Sequence, residues 1–276
     1  MSRGICLFAQ KNEKSDYYKQ AVACAMSIKA FNPKEQICLI TDMKVKTEHE
    51  KYFDVTKDIP GNDLSINSNW KIENRCKIYN ASPFDRTIVL DVDMLVLESL
   101  DNFWTLLEPY ELFYTNKVKT YRNEIATGDF YRKVFVHNQL PNVYCGLHYF
   151  KKTKSNQDFY NLVTDIVKNY KEYSERFAKN VKQSWCSMDV ATAIAIKLTN
   201  KEHQVFSNSN VLTFTHMKPK IQNWTADVQN WTAYIDYNLN KNKELAVGNI
   251  HQTGIFHYVV DNFLNDDVME LSLIHI

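Results

Sequence analysis

The segment Arg86-Thr87-Ile88-Val89-Leu90-Asp91-Val92-Asp93-Met94-Leu95-Val96-Leu97 places two carboxylates inside an otherwise apolar run. A short apolar run bounded by turn-forming residues is typical of a buried strand. Successive side chains of a strand point to opposite faces, so we expect Asp91 and Asp93 on the same side. Two ionised carboxylates at a buried strand end are costly unless a positive charge lies between them. The segment therefore predicts a divalent metal site with phosphate oxygens on the far side of the metal.

The acidic pair also has a simpler interpretation, because a solvated turn or a helix cap at a strand end contains the same residue types. The apolar runs on both sides favour the metal site. With a later histidine, the pair would supply two oxygen ligands and one nitrogen ligand, which suits Mn²⁺ first and Mg²⁺ second. A diphosphate on that metal would also need a basic neighbour, and Arg75, Lys71 and Lys77 are the candidates.

Composition excludes several classes of protein. The chain has 276 residues, 45% of them hydrophobic, and a net charge of +1, which predicts neither nucleic-acid nor membrane-surface binding. Without a linker or a second core, we expect one domain over 1–276. The six cysteines form no Cys-x-x-Cys pair, which is typical of buried thiols in a reducing compartment. No apolar stretch suits a signal peptide or a membrane span, so we expect a soluble cytoplasmic protein.

The first hundred residues alternate between strand and helix patterns. Apolar runs indicate buried strands at 4–9, 36–42 and 86–97. Apolar spacing indicates helices over 17–31 and about 69–80. This order predicts an α/β fold, and its strand–helix–strand unit should be parallel and right-handed. Such sheets bind ligands outside the carboxyl ends of their strands, which is where the acidic pair lies.

The rest of the chain continues the same pattern. We expect strands at 112–114, 143–150, 212–217 and 254–260, a helix capped by Ser155, a helix over 188–197, and a mobile loop over 117–136. Gly146 interrupts a strand, which indicates a bulge or the close approach of a ligand. Asp189 begins a helix, where a carboxylate suits the positive helix end. His257 lies in the last strand, either as a buried core histidine or as the nitrogen ligand.

Taken together, these motifs resemble those of GT-A-fold glycosyltransferases, in particular glycosyltransferase family 8, the glycogenin and galactosyltransferase type. The resemblance runs from Gly4 to about Asp266. It is strongest over 82–97, where a Ser-Pro-aromatic turn, a buried strand and the acidic pair follow one another. It implies a Rossmann-like mixed sheet, mostly parallel and flanked by helices. It also implies a nucleotide-binding part over about 1–100 and an acceptor and metal-ligand part over about 101–266.

The resemblance implies a set of metal and phosphate ligands. In the family, the Asp-x-Asp segment, here 91–93 with Val92 between the carboxylates, binds Mn²⁺ and the diphosphate of the nucleotide-sugar. Arg75 lies 16 positions before Asp91, where relatives carry a basic residue near the phosphates. The family's C-terminal metal-binding histidine corresponds to His251 by its His-x-x-Gly spacing or to His257 by its apolar surroundings. We favour His257, because a ligand at a strand end is held more rigidly.

Further site residues follow from the same resemblance. Relatives contact the nucleobase with an Asn and a Tyr, for which Asn12 and either Tyr17 or Tyr18 are the candidates. Gly146 corresponds to the glycine of the strand that lines the sugar site. Asp189 corresponds to a carboxylate in the donor-sugar region, and we assign it a catalytic role together with the basic residue near the phosphates.

We therefore expect a metal-dependent glycosyltransferase that moves a sugar from a nucleotide-diphosphate donor, with UDP as the expected nucleotide, to a hydroxyl of a glycan or another acceptor. A haloacid-dehalogenase-type phosphatase also uses an acidic pair after a strand, but it places Thr or Val where this chain has Leu95. A nucleotidyltransferase needs a glycine-rich loop, which is absent from 9–12. A non-catalytic module that binds sugars or nucleotides is the remaining alternative.

Overall fold

A computed structural model describes residues 1–65, 68, 70–126, 132–207, 210–225, 227–265 and 268–269. Its strands are β1 (Arg3–Ala9), β2 (Ile37–Thr41), β3 (Val55–Lys57), β4 (Arg86–Leu90), β5 (Met94–Val96), β6 (Leu112–Thr115), β7 (Tyr144–Lys151), β8 (Val205–Phe206), β9 (Phe214–His216), β10 (Tyr237–Leu239), β11 (Leu245–Val247), β12 (Ile250–Gln252) and β13 (Ile255–His257). Its α-helices are α1 (Tyr17–Phe31), α2 (Ile78–Ala81), α3 (Asp101–Leu107), α4 (Lys133–Asn138), α5 (Lys154–Lys168), α6 (Tyr170–Phe177) and α7 (Met188–Leu198). Short 3-10 helices cover Thr47–Tyr52, Glu73–Lys77, Glu202–Gln204, Trp231–Ala233 and Asp261–Phe263.

The central sheet has seven strands in the order β3-β2-β1-β4-β7-β6-β8. All of them except β7 run in the same direction, because β7 pairs antiparallel with both β4 and β6. The helix α1 connects β1 to its parallel neighbour β2, as the strand–helix–strand pattern predicts. The predicted fold class is therefore confirmed: a mixed, mostly parallel sheet flanked by helices.

Both faces of the central strands are covered, which explains their continuous apolar sequences. On one face, Ile5 and Leu7 of β1 share a core with α1 and α3. On the other face, Cys6 and Phe8 share a core with α5 and α7. All six cysteine thiols are free. No helix in the described part of the chain is long and apolar enough to cross a membrane.

The run 86–97 forms two strands in different sheets, so the prediction of one continuous strand was wrong. β4 ends at Leu90 in the central sheet, and β5 begins at Met94 in a small sheet of order β5-β13-β9. A turn at 91–93 joins them. The apolar pattern could not show this break, because β5 is as buried as β4. The acidic pair consequently lies at the junction of two sheets, at the carboxyl end of β4.

The helix predicted over 69–80 is shorter than its apolar pattern indicated. Lys71 has a left-handed backbone conformation, with φ of 53°, which cannot continue a helix. The buried side chain of Asn74 accepts a hydrogen bond from the backbone N–H of Leu64 at 3.0 Å and donates to Gln10 at 2.9 Å. These contacts tie a 3-10 turn to the preceding loop, and a helical turn follows only at Ile78–Ala81.

Three smaller expectations are either corrected by the structure or concern residues that lie outside the described part of the chain. The cap of α5 is Thr153, not Ser155, and its hydroxyl accepts from the N–H of Asn156 at 3.2 Å. In the predicted loop 117–136, Lys119 bridges to β9 and α4 begins at residue 133, while 127–131 lie outside the described residues. The terminal segment 271–276, to which we assign no role, lies outside them as well.

Gly254, directly before β13, packs closely against the backbone of Thr213. Its φ is +72°, and a Cβ there would lie 2.1 Å from the carbonyl oxygen of Thr213. Gly248 also has a positive φ, +58°, but a Cβ there would meet only Ile235, at 3.9 Å. We expect Gly248→Ala to cost about 1 kcal/mol of unfolding free energy and Gly254→Ala about 4 kcal/mol or more, measured by urea denaturation. Equal losses would contradict this account of the packing.

Candidate active site

The pairing of β5 with β13 brings a histidine to the acidic pair. In this antiparallel register His257 lies opposite Met94, directly after Asp93 in the chain. The backbone N–H of Tyr258 donates to the carbonyl of Asp93 at 3.1 Å. His257 Nε2 consequently lies 2.8 Å from Asp93 Oδ2. Ligand atoms of Asp91, Asp93 and His257 all lie within 4.8 Å of one another.

These three side chains fit a divalent cation by their chemistry and their surroundings. Burial raises the pKa of Asp93, but the nearby His257 and Arg75 lower it by more than burial raises it. The net pKa is therefore below the ordinary value, and the carboxylate is ionised. His257 Nδ1 is buried and has no hydrogen-bond partner among the described residues. Two carboxylates and one imidazole form a donor set that Mn²⁺ or Mg²⁺ accepts. His251 lies elsewhere: it is exposed on β12, opposite Ala246.

Of the three basic candidates, Arg75 reaches the acidic pair. Its Nη2 donates to Oδ1 of Asp91, and both side chains are largely buried. Lys77 instead donates to the carbonyl of Asn62 in the preceding loop. Lys71 donates to the carbonyl of Ser65 at 2.8 Å, although it also lines the cavity described next. The guanidinium of Arg75 is therefore the positive charge that directly contacts the pair.

A cavity of about 210 Å³ opens beside the pair at the carboxyl ends of β1 and β4. Its lining includes apolar, aromatic and charged side chains: Phe8, Gln10, Tyr17, Trp70, Lys71, Ile72, Arg75, Asp91, Val92 and Asp93. The predicted residue Asn12 lies in an adjoining depression that shares Gln10 and Lys71 with this cavity. The acidic segment and Arg75 thus share one cavity, with Asn12 at its margin.

The structure distinguishes the two neighbouring tyrosines at the start of α1. Tyr17 lines the cavity, and burial together with the nearby Asp93 raises its pKa to about 12. Tyr18 points to other partners: its hydroxyl accepts from the N–H of Lys46 at 2.8 Å and lies 3.0 Å from His49 Nδ1. Only Tyr17 of these two is therefore placed to contact a ligand in the cavity.

Gly146 lies directly against the acidic pair. Its carbonyl accepts from the N–H of Asp91 at 2.9 Å. The pairing of β7 with β6 shifts register beside it, so the predicted irregularity of this strand is present. A Cβ at this position would lie 2.8 Å from Met94 Cε and 3.0 Å from Asp91 Oδ2. Glycine is therefore the residue that leaves the Asp91 carboxylate in place.

This contact predicts the effect of Gly146→Ala. The added methyl group would displace the flexible end of Met94 and crowd the Asp91 carboxylate out of its present position. We expect a small loss of stability, about 1 kcal/mol, and a tenfold or larger loss of Mn²⁺ affinity, because ligand placement controls metal binding. Equilibrium dialysis of Mn²⁺ and thermal unfolding measure the two effects. An unchanged Mn²⁺ affinity would show that this glycine does not govern the position of Asp91.

Asp189 is held by two partners on other elements. Its Oδ1 accepts from the backbone N–H of Cys145 at 2.9 Å, and its Oδ2 accepts from Arg132 Nη1 at 2.9 Å. Burial raises its pKa, but Arg132 and the Cys145 N–H lower it to a net value below the ordinary range. The N-cap of α7 is Ser187, not this carboxylate. Asp189 therefore connects α7 to β7 beside Gly146.

Three neighbouring residues were not anticipated from the sequence. His216 lies opposite His257 in the β9–β13 pairing, with ring centroids 4.2 Å apart, and burial holds its pKa well below the usual range. Arg132 anchors Asp189, and Trp70 lines the cavity while 51% exposed. His216 lies in the predicted strand 212–217, and that was its only sequence signal. Arg132 and Trp70 had none.

Comparison with solved structures identifies the fold of this chain. No protein-family model matches the chain, and no curated protein sequence matches it. Among solved structures, the chain is similar to the galactosyltransferase LgtC in complex with donor and acceptor sugar analogues, with a TM-score of 0.55 and 15% identity over 98% of this chain and 95% of that chain. It is also similar to the glycosyltransferase GlyE of Streptococcus pneumoniae TIGR4, with a TM-score of 0.51 and 14% identity over 99% of this chain and 60% of that chain. The chain has the GT-A fold, as the motif resemblance implies.

Proposed function

We propose that this protein is a metal-dependent glycosyltransferase that transfers a sugar from a UDP-sugar to an acceptor hydroxyl. The observation that supports it most is the cluster of Asp91, Asp93 and His257, whose ligand atoms lie within 4.8 Å of one another beside a basic side chain and a cavity. The GT-A fold and its glycosyltransferase neighbours support the same reaction class. The position at the carboxyl end of β4 is where sheets of this kind bind their ligands.

Each group in the site has a role in this proposal. A divalent cation held by Asp91, Asp93 and His257 would act as a Lewis acid that neutralises charge on the departing diphosphate. Arg75, now paired with Asp91, would donate to a phosphate oxygen and stabilise the same charge. Tyr17 would contact the nucleoside from the cavity wall.

The donor sugar would lie on the β7 side of the metal cluster. The backbone of Gly146 lies against the Asp91 carboxylate there with no side chain between them, and Asp189 is held nearby by the Cys145 N–H and by Arg132. A carboxylate has about four acceptor positions, of which these two contacts use two. The remaining positions would accept sugar hydroxyls and orient the anomeric carbon toward the acceptor.

The phosphatase alternative is not favoured. In that class the first carboxylate must be free to attack phosphorus, whereas Asp91 is ion-paired with Arg75. A non-catalytic binding module would keep the site and lack turnover, so activity decides between them.

The experiment is a donor screen that measures release of the nucleoside diphosphate. Purified protein is incubated with UDP-, GDP- or CDP-sugars and simple glycoside acceptors, with Mn²⁺ or with a chelator. We expect UDP release from a UDP-sugar that requires Mn²⁺ and falls strongly in Arg75→Ala. Binding of UDP without any release would identify a binding module, and phosphate release from an aryl phosphate would identify a phosphatase.

A further inference from the structure

Trp70 is an exposed aromatic residue in the wall of the site cavity. Its side chain lines the same cavity as Asp91 and Asp93 and is 51% exposed. Trp185 is also exposed, at 62%, but does not line this cavity, and Trp104 and Trp231 are 3% and 1% exposed. Covering a half-exposed indole with a flat ring is favourable, because apolar surface is removed from water and the two rings stack. The wall is therefore suited to an aromatic part of a ligand.

The strand order gives the cavity two distinct ends. β1 and β7 pair with β4 on opposite sides, so Gln10, which follows β1, and Gly146 of β7 flank the acidic pair. Asp189 is attached to the β7 end through the N–H of Cys145, and a carboxylate there suits hydroxyl groups. Trp70 belongs to the β1 end, because Lys14, in the loop after β1, places its Nζ 5.6 Å from the indole centroid. An aromatic ligand group at Trp70 would thus lie on the opposite side of the diphosphate from the sugar.

The backbone holds this tryptophan in a defined place. The next residue, Lys71, has a φ of 53°, a conformation that residues other than glycine rarely adopt and that persists only where surroundings enforce it. Its Nζ donates to the carbonyl of Ser65 at 2.8 Å. On the other side, the ammonium of Lys14 faces the indole ring at a distance where a cation and a ring attract. The structure without a ligand thus already places the exposed ring at the rim of the cavity.

We propose that Trp70 stacks on the nucleobase of the donor and forms a base-binding wall that none of the sequence motifs contains. The inference rests on the proposed function, since it places the diphosphate at Asp91 and Asp93. Every nucleobase has a face that stacks on an aromatic side chain, so Trp70 contributes affinity for a nucleotide with little preference among bases.

The test compares nucleotide binding with binding of a ligand that has no base. Isothermal titration in Mn²⁺ measures UDP and inorganic pyrophosphate against wild type, Trp70→Ala and Trp70→Phe. Tyr234→Ala is the matched control, because Tyr234 is an exposed aromatic residue, 67% exposed, that follows the 3-10 helix Trp231–Ala233 near β10. We expect Trp70→Ala to weaken UDP about tenfold or more and to leave pyrophosphate unchanged. Trp70→Phe should retain most of the UDP affinity, and Tyr234→Ala all of it.

The possible failures are distinguishable. If wild type binds UDP and Trp70→Ala binds it equally well, the stacking proposal is overturned while the proposed function stands. If Trp70→Ala weakens pyrophosphate as much as UDP, the ring supports the cavity rather than the base, and the stacking proposal is again overturned. If wild type binds no nucleoside diphosphate in Mn²⁺, the proposed function fails and the inference fails with it. Quenching of indole fluorescence by UDP, lost in Trp70→Phe, would support the contact independently.

Discussion

Replacing His257 by alanine is expected to lower metal-dependent turnover about 100- to 1000-fold, whereas replacing His251 leaves turnover within about twofold of wild type. His257 lies 2.8 Å from Asp93 and belongs to the three-residue cluster, and His251 is an exposed residue of another sheet. Loss of a metal ligand removes a stabilisation of developing charge worth several kcal/mol, and each 1.36 kcal/mol is about tenfold in rate.

The two histidine variants form a matched pair for this prediction. Initial rates of UDP release are measured over a range of Mn²⁺ concentrations, and thermal unfolding verifies that both proteins are folded. His257→Ala should also need more Mn²⁺ for half-maximal rate, which a purely structural defect would not cause. If His251→Ala has the larger effect, the metal ligand is not in β13 and the register argument is wrong.

Replacing Arg132 by methionine is expected to destabilise the protein by about 3 kcal/mol, the lower end of the cost of leaving one member of a buried ion pair alone, because the Asp189 side chain is 27% exposed. Arg132 is 7% exposed and donates to Asp189 Oδ2 at 2.9 Å and to Asn142 Oδ1 at 2.6 Å. Its guanidinium also lies over the rings of Phe135 and Tyr144, at 3.8 and 4.2 Å. Removal takes away the packing and leaves the Asp189 carboxylate without this counter-charge.

A second substitution separates the charge effect from the packing effect. Asp189→Asn keeps an acceptor for the Cys145 N–H and removes the charge, so Arg132→Met with Asp189→Asn should be more stable than Arg132→Met alone. Urea denaturation measures all four proteins. Strict additivity of the two single losses would show that the pair is not coupled.

The pH dependence has a definite sign. Because the folded pKa of Asp189 is depressed, its ion pair stabilises the protein above the unfolded pKa and ceases to do so as the pH falls through the folded value. The difference in stability between wild type and Arg132→Met should therefore be larger at pH 7 than in acid.

The sequence was sufficient for five of the seven strands of the central sheet, β1, β2, β4, β6 and β7, because their signals are local, whereas the short edge strands β3 and β8 were not predicted. Unbroken apolar runs indicated strands buried on both faces, and the spacing over 17–31 indicated the helix that connects the first two. The end of β4 was not predictable in this way. Val92 continues the apolar pattern, and after the turn at 91–93 the chain pairs as β5 with β13, a strand far away in the sequence.

In the site, too, local sequence signals were readable and features that depend on long-range pairing were not. The acidic pair was recognisable from its flanks, but the choice between His251 and His257 depended on a long-range strand register. The choice between Tyr17 and Tyr18 depended on how α1 is rotated about its axis relative to the sheet. Consecutive residues of a helix point in directions about 100° apart, so only one of the two tyrosines can face the cavity. Arg132 belongs to no motif, and its importance arises from Asp189 on α7 and from Tyr144 on β7, which only the folded chain brings to it.

The measurement that tests the central claim most directly is thermal unfolding with UDP in the presence and absence of Mn²⁺, for wild type and Asp93→Asn. A ligand that binds only the folded state raises the melting temperature by mass action, by about 5 °C or more at a hundredfold excess over its Kd. The proposed site predicts a rise in wild type that requires both UDP and Mn²⁺ and that disappears in Asp93→Asn. No rise with UDP, GDP or CDP in Mn²⁺, or an equal rise in Asp93→Asn, would contradict a nucleotide and metal site at the acidic pair.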